Sequence, residues 1–176
     1  EGKKSREIVE YGIEALKAVW HRGAVDADGK TGDGAGIHVE IPKDFFIEKI
    51  EVTGHDYDNS EICVGMIFLP RNDYSSQESC KTIVESELTK NNFSIYGWRQ
   101  VPVNPKILGE KAFQTMPEII QVLFKPNDLN LIDKDLERKI YETRKKIENK
   151  AFELSLNNFY ICSISSKSII YKGLYL

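Results

Sequence analysis

Apolar and small residues recur at helical spacing near the start of the chain, at Ile8, Gly12, Ala15, Leu16 and Val19, which predicts an amphipathic helix over 5–20. Ser5 is placed to cap it, and Glu7 complements the helix dipole in the first turn. The pattern stops at His21-Arg22-Gly23, where Gly23 suits the left-handed conformation that closes many helices. The period then changes to two. Runs rich in β-branched and aromatic residues at 36–41, 62–69, 92–100, 119–124, 159–165 and 168–172 predict six strands, each bounded by polar residues or proline. Helical spacing returns over 79–90 and 134–152, the latter placing Leu136, Ile140, Tyr141, Ile147, Ala151 and Phe152 along one side. Ser165-Ser166-Lys167 reads as a short hairpin link and 127–133 as a mobile loop. No repeat, low-complexity linker or domain boundary interrupts the series. Periodicity alone gives an α+β class with helices covering a β-rich layer.

Composition narrows the partners. The 176 residues are 41% hydrophobic and 29% charged, enough for one sizeable core and too few for two comfortable domains. A net charge of −3 with interspersed signs supplies no basic stripe, so nucleic acid is not an expected partner; Arg144, Lys145 and Lys146 read as a solvated helix face. The longest apolar run, 62–69, is far short of a membrane span, and the charged first helix is not a signal peptide, so a cytoplasmic protein without membrane contact is expected. Cys63, Cys80 and Cys162 are odd in number and widely separated. They support neither a disulfide framework nor a metal site, and Cys63 and Cys162 fall inside apolar strands as small buried hydrophobes. His38 and His55 have no partner at ligand spacing.

Candidate chemistry concentrates in 21–36, His-Arg-Gly-Ala-Val-Asp-Ala-Asp-Gly-Lys-Thr-Gly-Asp-Gly-Ala-Gly, with five glycines and three aspartates in sixteen residues. Such a stretch shapes backbone and does not fill a core. A Walker-type phosphate loop fails on spacing, since Ala24 stands where its first glycine belongs. A dinucleotide fingerprint fails because Gly32, Gly34 and Gly36 are spaced by two and lead into a strand. A calcium loop counted from Asp26 puts Lys30 at position five, Thr31 where glycine is needed and Ile37 at the bidentate position. A glycine-rich surface turn between helix and strand is the plain alternative.

His21-Arg22-Gly23-Ala24, Asp28-Gly29-Lys30-Thr31-Gly32-Asp33-Gly34-Ala35-Gly36, Tyr96-Gly97-Trp98-Arg99-Gln100-Val101-Pro102, Phe159-Tyr160-Ile161-Cys162-Ser163-Ile164-Ser165-Ser166 and Ile170-Tyr171-Lys172-Gly173 together resemble the amidotransferase region of the glutamate synthase large-subunit family. That region is a class II glutamine amidotransferase of the N-terminal-nucleophile hydrolase type, and the resemblance covers essentially the whole chain in order. It implies a four-layer αββα sandwich, incomplete here at both ends: the chain starts at Glu1 and stops directly after the strand 168–172. The family's cysteine nucleophile is expected upstream of Glu1, and its Asn-Gly oxyanion pair beyond Leu176. The implied activity of the parent is hydrolysis of L-glutamine to glutamate and ammonia, with the ammonia used for reductive amination of 2-oxoglutarate, and the isolated piece is expected to be inactive. FMN, an iron–sulfur cluster, downstream synthase domains and a small electron-donating subunit are implied for the parent, with no cofactor or metal in this segment. A noncatalytic amidotransferase-like scaffold, or another class II amidotransferase such as asparagine synthetase or a sugar-phosphate amidotransferase, are the alternatives.

Among the residues present, the resemblance implies supporting roles. Arg22 and Gly23 match the Arg-Gly beside the nucleophile strand, where a guanidinium offers several directed donors; Arg22 can equally neutralise the end of its helix. Asp33, with Gly32, Gly34 and Gly36, shapes the loop near the active centre, its carboxylate accepting N–H groups inside the turn. Trp98 and Arg99 either pack and pair structurally or line a glutamine tunnel or interdomain surface.

Overall fold

A computed structural model describes residues 5–173, apart from the side chain of Arg22. Elements follow in the order α1 (Arg6–Ala18), β1 (Ala35–Glu40), α2 (Lys43–Val52), β2 (Cys63–Leu69), α3 (Tyr74–Lys90), β3 (Phe93–Gln100), α4 (Glu110–Gln114), β4 (Glu118–Pro126), α5 (Asp133–Glu153), β5 (Tyr160–Ser165) and β6 (Ser168–Gly173), with 3-10 turns at Trp20–Arg22 and Pro105–Ile107. The class is α+β, as the periodicity predicts. All six strands lie within two residues of their predicted positions. The described residues form two compact units, one made of residues 5–37, 103–116 and 171–173, the other of His38–Pro102 and Pro117–Ile170.

The larger unit is built on an antiparallel sheet in the order β3-β4-β2-β5. β2 and β4 form its centre, in a register running from Cys63 opposite Phe124 to Leu69 opposite Glu118. Gly65 lies opposite Val122 because any β-carbon there would stand 2.7 Å from the valine Cγ1. One face carries Cys63, Ile67, Leu69, Ile120, Val122, Phe124, Phe93 and Ile161 into a single buried cluster with Val84 and Leu88 of α3 and Leu136, Ile140 and Ile147 of α5. Truncating a residue such as Leu136, which is fully buried, would cost about 2–5 kcal/mol. The opposite face buries Val64, Met66 and Leu123. Toward β3, Thr53 at the end of α2 packs against Gly97, whose φ of +146° accompanies a register shift between Ile95 and Gly97.

Several expectations are corrected. α2 lies where the sequence pattern predicts no helix: it follows Pro42, and its hydrophobic signal reduces to Phe46 and Ile50, four residues apart and fully buried. α3 begins before 79 because Asp73 caps it, accepting hydrogen bonds from the Ser76 N–H at 3.0 Å and the Ser76 hydroxyl at 2.6 Å. On α5 the buried stripe is Leu136, Ile140, Thr143, Ile147 and Ala151; Tyr141 and Phe152 each sit one position beyond a stripe residue, rotated away, and are 59% and 85% exposed. The basic cluster on α5 is not merely solvated, since Arg144 donates to the Ile161 carbonyl at 2.8 Å and Lys146 to the Asn91 side chain at 2.5 Å. α1 buries no residue, and Ser5 sits at its N-cap without a side-chain bond.

The predicted hairpin at 165–167 is a corner. β5 pairs with β2, whereas β6 leaves that sheet to form a two-stranded ribbon with β1. A hydrogen-bond clasp turns the chain: Glu137 of α5 accepts from the Ser165 hydroxyl at 3.0 Å, the Ser166 N–H at 2.7 Å and the Ser166 hydroxyl at 2.8 Å. Ser165 Oγ in turn accepts from the N–H of Lys167 at 2.9 Å. Past the corner, the Ile170 N–H donates to Ser163 Oγ at 3.1 Å and the Cys162 thiol donates to the Ile170 carbonyl at 3.5 Å.

Both corner serines are buried, so Glu137→Ala strands their donors without partners. The expected outcome is a loss of about 1–3 kcal/mol in urea unfolding; a loss below a few tenths would show that the corner holds without the clasp.

Candidate functional site

The smaller unit holds the glycine-rich segment. α1 gives way to the 3-10 turn Trp20–Arg22, closed by a bond from the Gly23 N–H to the Trp20 carbonyl at 3.0 Å. Gly23 has φ −80° and ψ 152°, extended and not left-handed, because that tighter turn already closes the helix. Glycine is needed for another reason: a β-carbon here would stand 3.1 Å from Asp33 Oδ1 and 3.3 Å from the Trp20 carbonyl. The chain then folds back on itself. Val25 bridges to Gly32, the Asp26 N–H donates to the Thr31 carbonyl at 2.8 Å, and the Asp33 N–H donates to the Ala24 carbonyl at 3.2 Å. Gly23, Gly32 and Asp33 are thereby brought together. The Arg22 side chain lies outside the described residues.

At the tip of this fold-back the turn is shaped by Asp28. Its Oδ1 accepts from the N–H groups of Lys30 at 2.9 Å and Thr31 at 2.7 Å, and its Oδ2 accepts from the Thr31 hydroxyl at 2.6 Å. The Thr31 hydroxyl above all, with these two N–H groups, holds the Asp28 carboxyl well below the usual carboxylate range. The role expected of Asp33, accepting N–H groups inside the turn, belongs to Asp28, which lies two or three residues before those donors, the reach of an Asx turn. Gly29 (φ +69°) and Gly34 (φ +117°) occupy backbone conformations that favour glycine. Gly36 does not; it is required by the approach of β6, since a β-carbon would stand 2.9 Å from the Tyr171 carbonyl.

A distant segment completes the turn. At the start of α4, Gly109 lies so close that a β-carbon would stand 2.3 Å from both Asp28 Oδ2 and Thr31 Oγ1. The Ala112 N–H reaches Thr31 Oγ1 at 3.4 Å, the Lys111 N–H reaches Asp28 Oδ2 at 3.5 Å, and Lys111 Nζ pairs with Asp26 Oδ2 at 2.6 Å. The last is an exposed ion pair, screened by solvent and contributing little. Sequence reasoning missed Asp28, Thr31, Gly109 and Lys111 as a group. Asp28-x-x-Thr31 is a readable local signal, but its union with Gly109 is not local.

Trp98 and Arg99, in the larger unit, point to opposite faces of the sheet. Trp98 packs on the helical side, with its indole N–H donating to Glu85 of α3 at 2.6 Å. Arg99 donates to Gln121 at 2.8 Å and lies over the Phe45 ring at 5.0 Å. Near them the Tyr96 hydroxyl donates to Asp58 at 3.0 Å, and Lys125 also pairs with Asp58. Lys125 is the main cause that holds the Asp58 carboxyl low, while burial raises the Tyr96 phenol.

The chain matches the family model described as Glutamine amidotransferases class-II over residues 1–176. It belongs to the class II glutamine amidotransferases. The domain is 52% identical over its whole length to the glutamate synthase (NADPH) large chain of Azospirillum brasilense. It is 40% identical over 97% of its length to ferredoxin-dependent glutamate synthase 1 of Arabidopsis thaliana, and 34% identical over 98% to ferredoxin-dependent glutamate synthase 2 of a Synechocystis strain. It spans 12%, 10% and 11% of these relatives' lengths.

The cysteines do not fit an iron–sulfur cluster. All three are buried on different elements, Cys63 on β2, Cys80 on α3 and Cys162 on β5, and they do not gather into the set of thiolates that a cluster needs. Among the described residues no group of three or more His, Cys, Asp or Glu side chains could hold a metal ion, and no helix is long and apolar enough to cross a membrane.

Asp28 makes the turn acid-sensitive in a defined direction. Its carboxyl is lowered by folding, so its contribution is complete above the unfolded value of about 3.9 and is lost as pH falls from there toward the folded value. The stability difference between the wild type and Asp28→Asn should stay constant from about pH 7 to pH 5 and shrink below about pH 4. A difference that holds steady down to about pH 3 would remove Asp28 from this role.

Proposed function

We propose that this domain is part of the glutaminase half of a glutamate synthase, hydrolysing L-glutamine to glutamate and ammonia for the reductive amination of 2-oxoglutarate elsewhere in a longer chain. The observation that carries the reading is identity to glutamate synthase large chains sustained along the entire domain, 52% in one case. In this reaction a cysteine thiolate attacks the amide carbon, ammonia leaves, and water releases glutamate from the thioester. The thiol and the Asn-Gly oxyanion donors are supplied from outside these residues, and FMN, an iron–sulfur cluster and an electron-donating subunit belong to the rest of the assembly.

The residues present support the centre. Arg22 and Gly23 hold the strand that carries the nucleophile, and the loop bearing Gly32, Asp33, Gly34 and Gly36 borders the active centre. The closeness of Asp33 to Gly23 supports this pairing of roles. Of Trp98 and Arg99, we assign any lining of a substrate passage or interdomain surface to Arg99, because Trp98 packs against the buried cluster on the helical side of the sheet.

Two measurements test the proposal. The 176-residue piece alone should release no glutamate from glutamine above a protein-free control. In the complete enzyme, Arg22→Lys keeps the charge but loses the planar fork of donors, so glutamine-dependent synthesis should fall about tenfold or more while ammonia-dependent synthesis persists. Equal loss of both activities would mark Arg22 as a folding residue, and glutaminase activity in the isolated piece would place the chemistry inside it.

A further inference from the structure

The clasp joining Asp28 and Thr31 to Gly109 and Ala112 uses none of the residues to which the proposed function assigns a part in the reaction. Its geometry is convergent: one carboxylate gathers two N–H groups and a hydroxyl of its own turn, and that hydroxyl also lies 3.4 Å from an N–H donor 81 positions away in sequence. Thr31 and Gly32 are both buried, and Gly109 leaves no room for a side chain. The segment immediately following the clasp is the one that matters for the proposed centre. Gly32 bridges to Val25, Asp33 bonds to Ala24, and the Asp33 carboxylate is set against Gly23. Only one residue separates Thr31 from Asp33, so any slack at the Thr31 hydroxyl shifts Asp33 relative to the Arg22-Gly23 backbone.

We infer that Thr31, through its hydroxyl bridge between Asp28 and the start of α4, is a positioning residue for the glutaminase reaction, fixing where Asp33 stands beside Gly23. It touches no substrate in this scheme and acts through the loop. The inference rests on the proposed glutaminase reading and adds Thr31, Asp28 and Gly109 to the residues that reading requires.

The experiment compares Thr31→Val, which keeps the shape and removes the hydroxyl, with Thr31→Ser, which keeps the hydroxyl, both in the complete enzyme. Displacements on the order of 1 Å at a catalytic centre cost up to about a hundredfold in rate. Thr31→Val should therefore lower glutamine-dependent kcat by about tenfold or more, with the KM for glutamine changed by no more than about threefold. The rate with ammonia as nitrogen donor should equal that of the wild type, and Thr31→Ser should recover most of the lost turnover. Unchanged glutamine-dependent kcat in Thr31→Val overturns the inference. So does a matching loss of glutamine- and ammonia-dependent rates, or an equal loss in the valine and serine variants. Amide hydrogen exchange at 32–36 reads the clasp independently of activity: Thr31→Val should accelerate it about tenfold or more, and unchanged exchange also overturns the inference. A wild-type enzyme that uses ammonia but not glutamine while Thr31→Val loosens 32–36 would instead strike at the glutaminase reading and leave the clasp standing.

Discussion

Strands buried on both faces govern the larger unit. In β2 every residue except Phe68 is buried, and the middle of β4 from Ile120 to Phe124 is buried throughout, so the central pair must be covered twice. One cover is the pair α3 and α5, whose apolar stripes meet the strand residues that alternate toward them. The other face gathers Thr53 and Phe45 from the α2 side, and the far side of β5 is covered where β6 leaves the sheet. The corner at Ser165–Lys167 follows from this requirement. A hairpin would have added another strand to the edge, whereas a corner brings Ile170 over Cys162 and Ser163. The Glu137 clasp supplies the hydrogen bonds that a sharp change of sheet would otherwise leave unmade.

The glycine-rich loop solves a different problem. Glycines cost the most conformational entropy on folding, so five of them in sixteen residues give a defined shape only if something else fixes the backbone. Asp28 does so with a single carboxylate, and α4 locks the result from a remote part of the sequence. This also bears on ligand chemistry. The N–H groups of Lys30 and Thr31, which a phosphate cradle would present to an anion, are turned inward onto Asp28. The phosphate-loop reading that fails on spacing therefore fails on hydrogen bonding as well.

What the sequence discloses follows from the range of the interaction involved. The six strands were legible because β-branched runs and alternation are local, and the bulk of α5 was legible from its period. α2 escaped because two buried residues, Phe46 and Ile50, are too few to establish a period, and the first turn of α3 escaped because its signal is a polar cap. On α5, Tyr141 and Phe152 are apolar yet lie one position off the buried stripe, and Thr143 enters the core by bonding its hydroxyl to the Lys139 carbonyl. The loop was recognisable as shaped, and the need for positive φ holds at Gly34, but the agent of the shape was not identifiable. Asp28 and Asp33 are indistinguishable by composition, and only Thr31 and the distant Gly109 decide between them.

That decision separates shape from chemistry within the loop. Three aspartates lie in the sixteen residues, and the fold uses each differently. Asp26 pairs with Lys111 at the exposed rim, a weak and replaceable contact. Asp28 accepts the donors of the turn itself and is held ionised by them. Asp33 is bound through its backbone to Ala24, while its carboxylate is carried against Gly23, beside Arg22 in sequence. Because Asp28 carries that structural duty, Asp33 is spared it, and the loop can present one carboxylate at the Arg22-Gly23 segment from a backbone that does not depend on it.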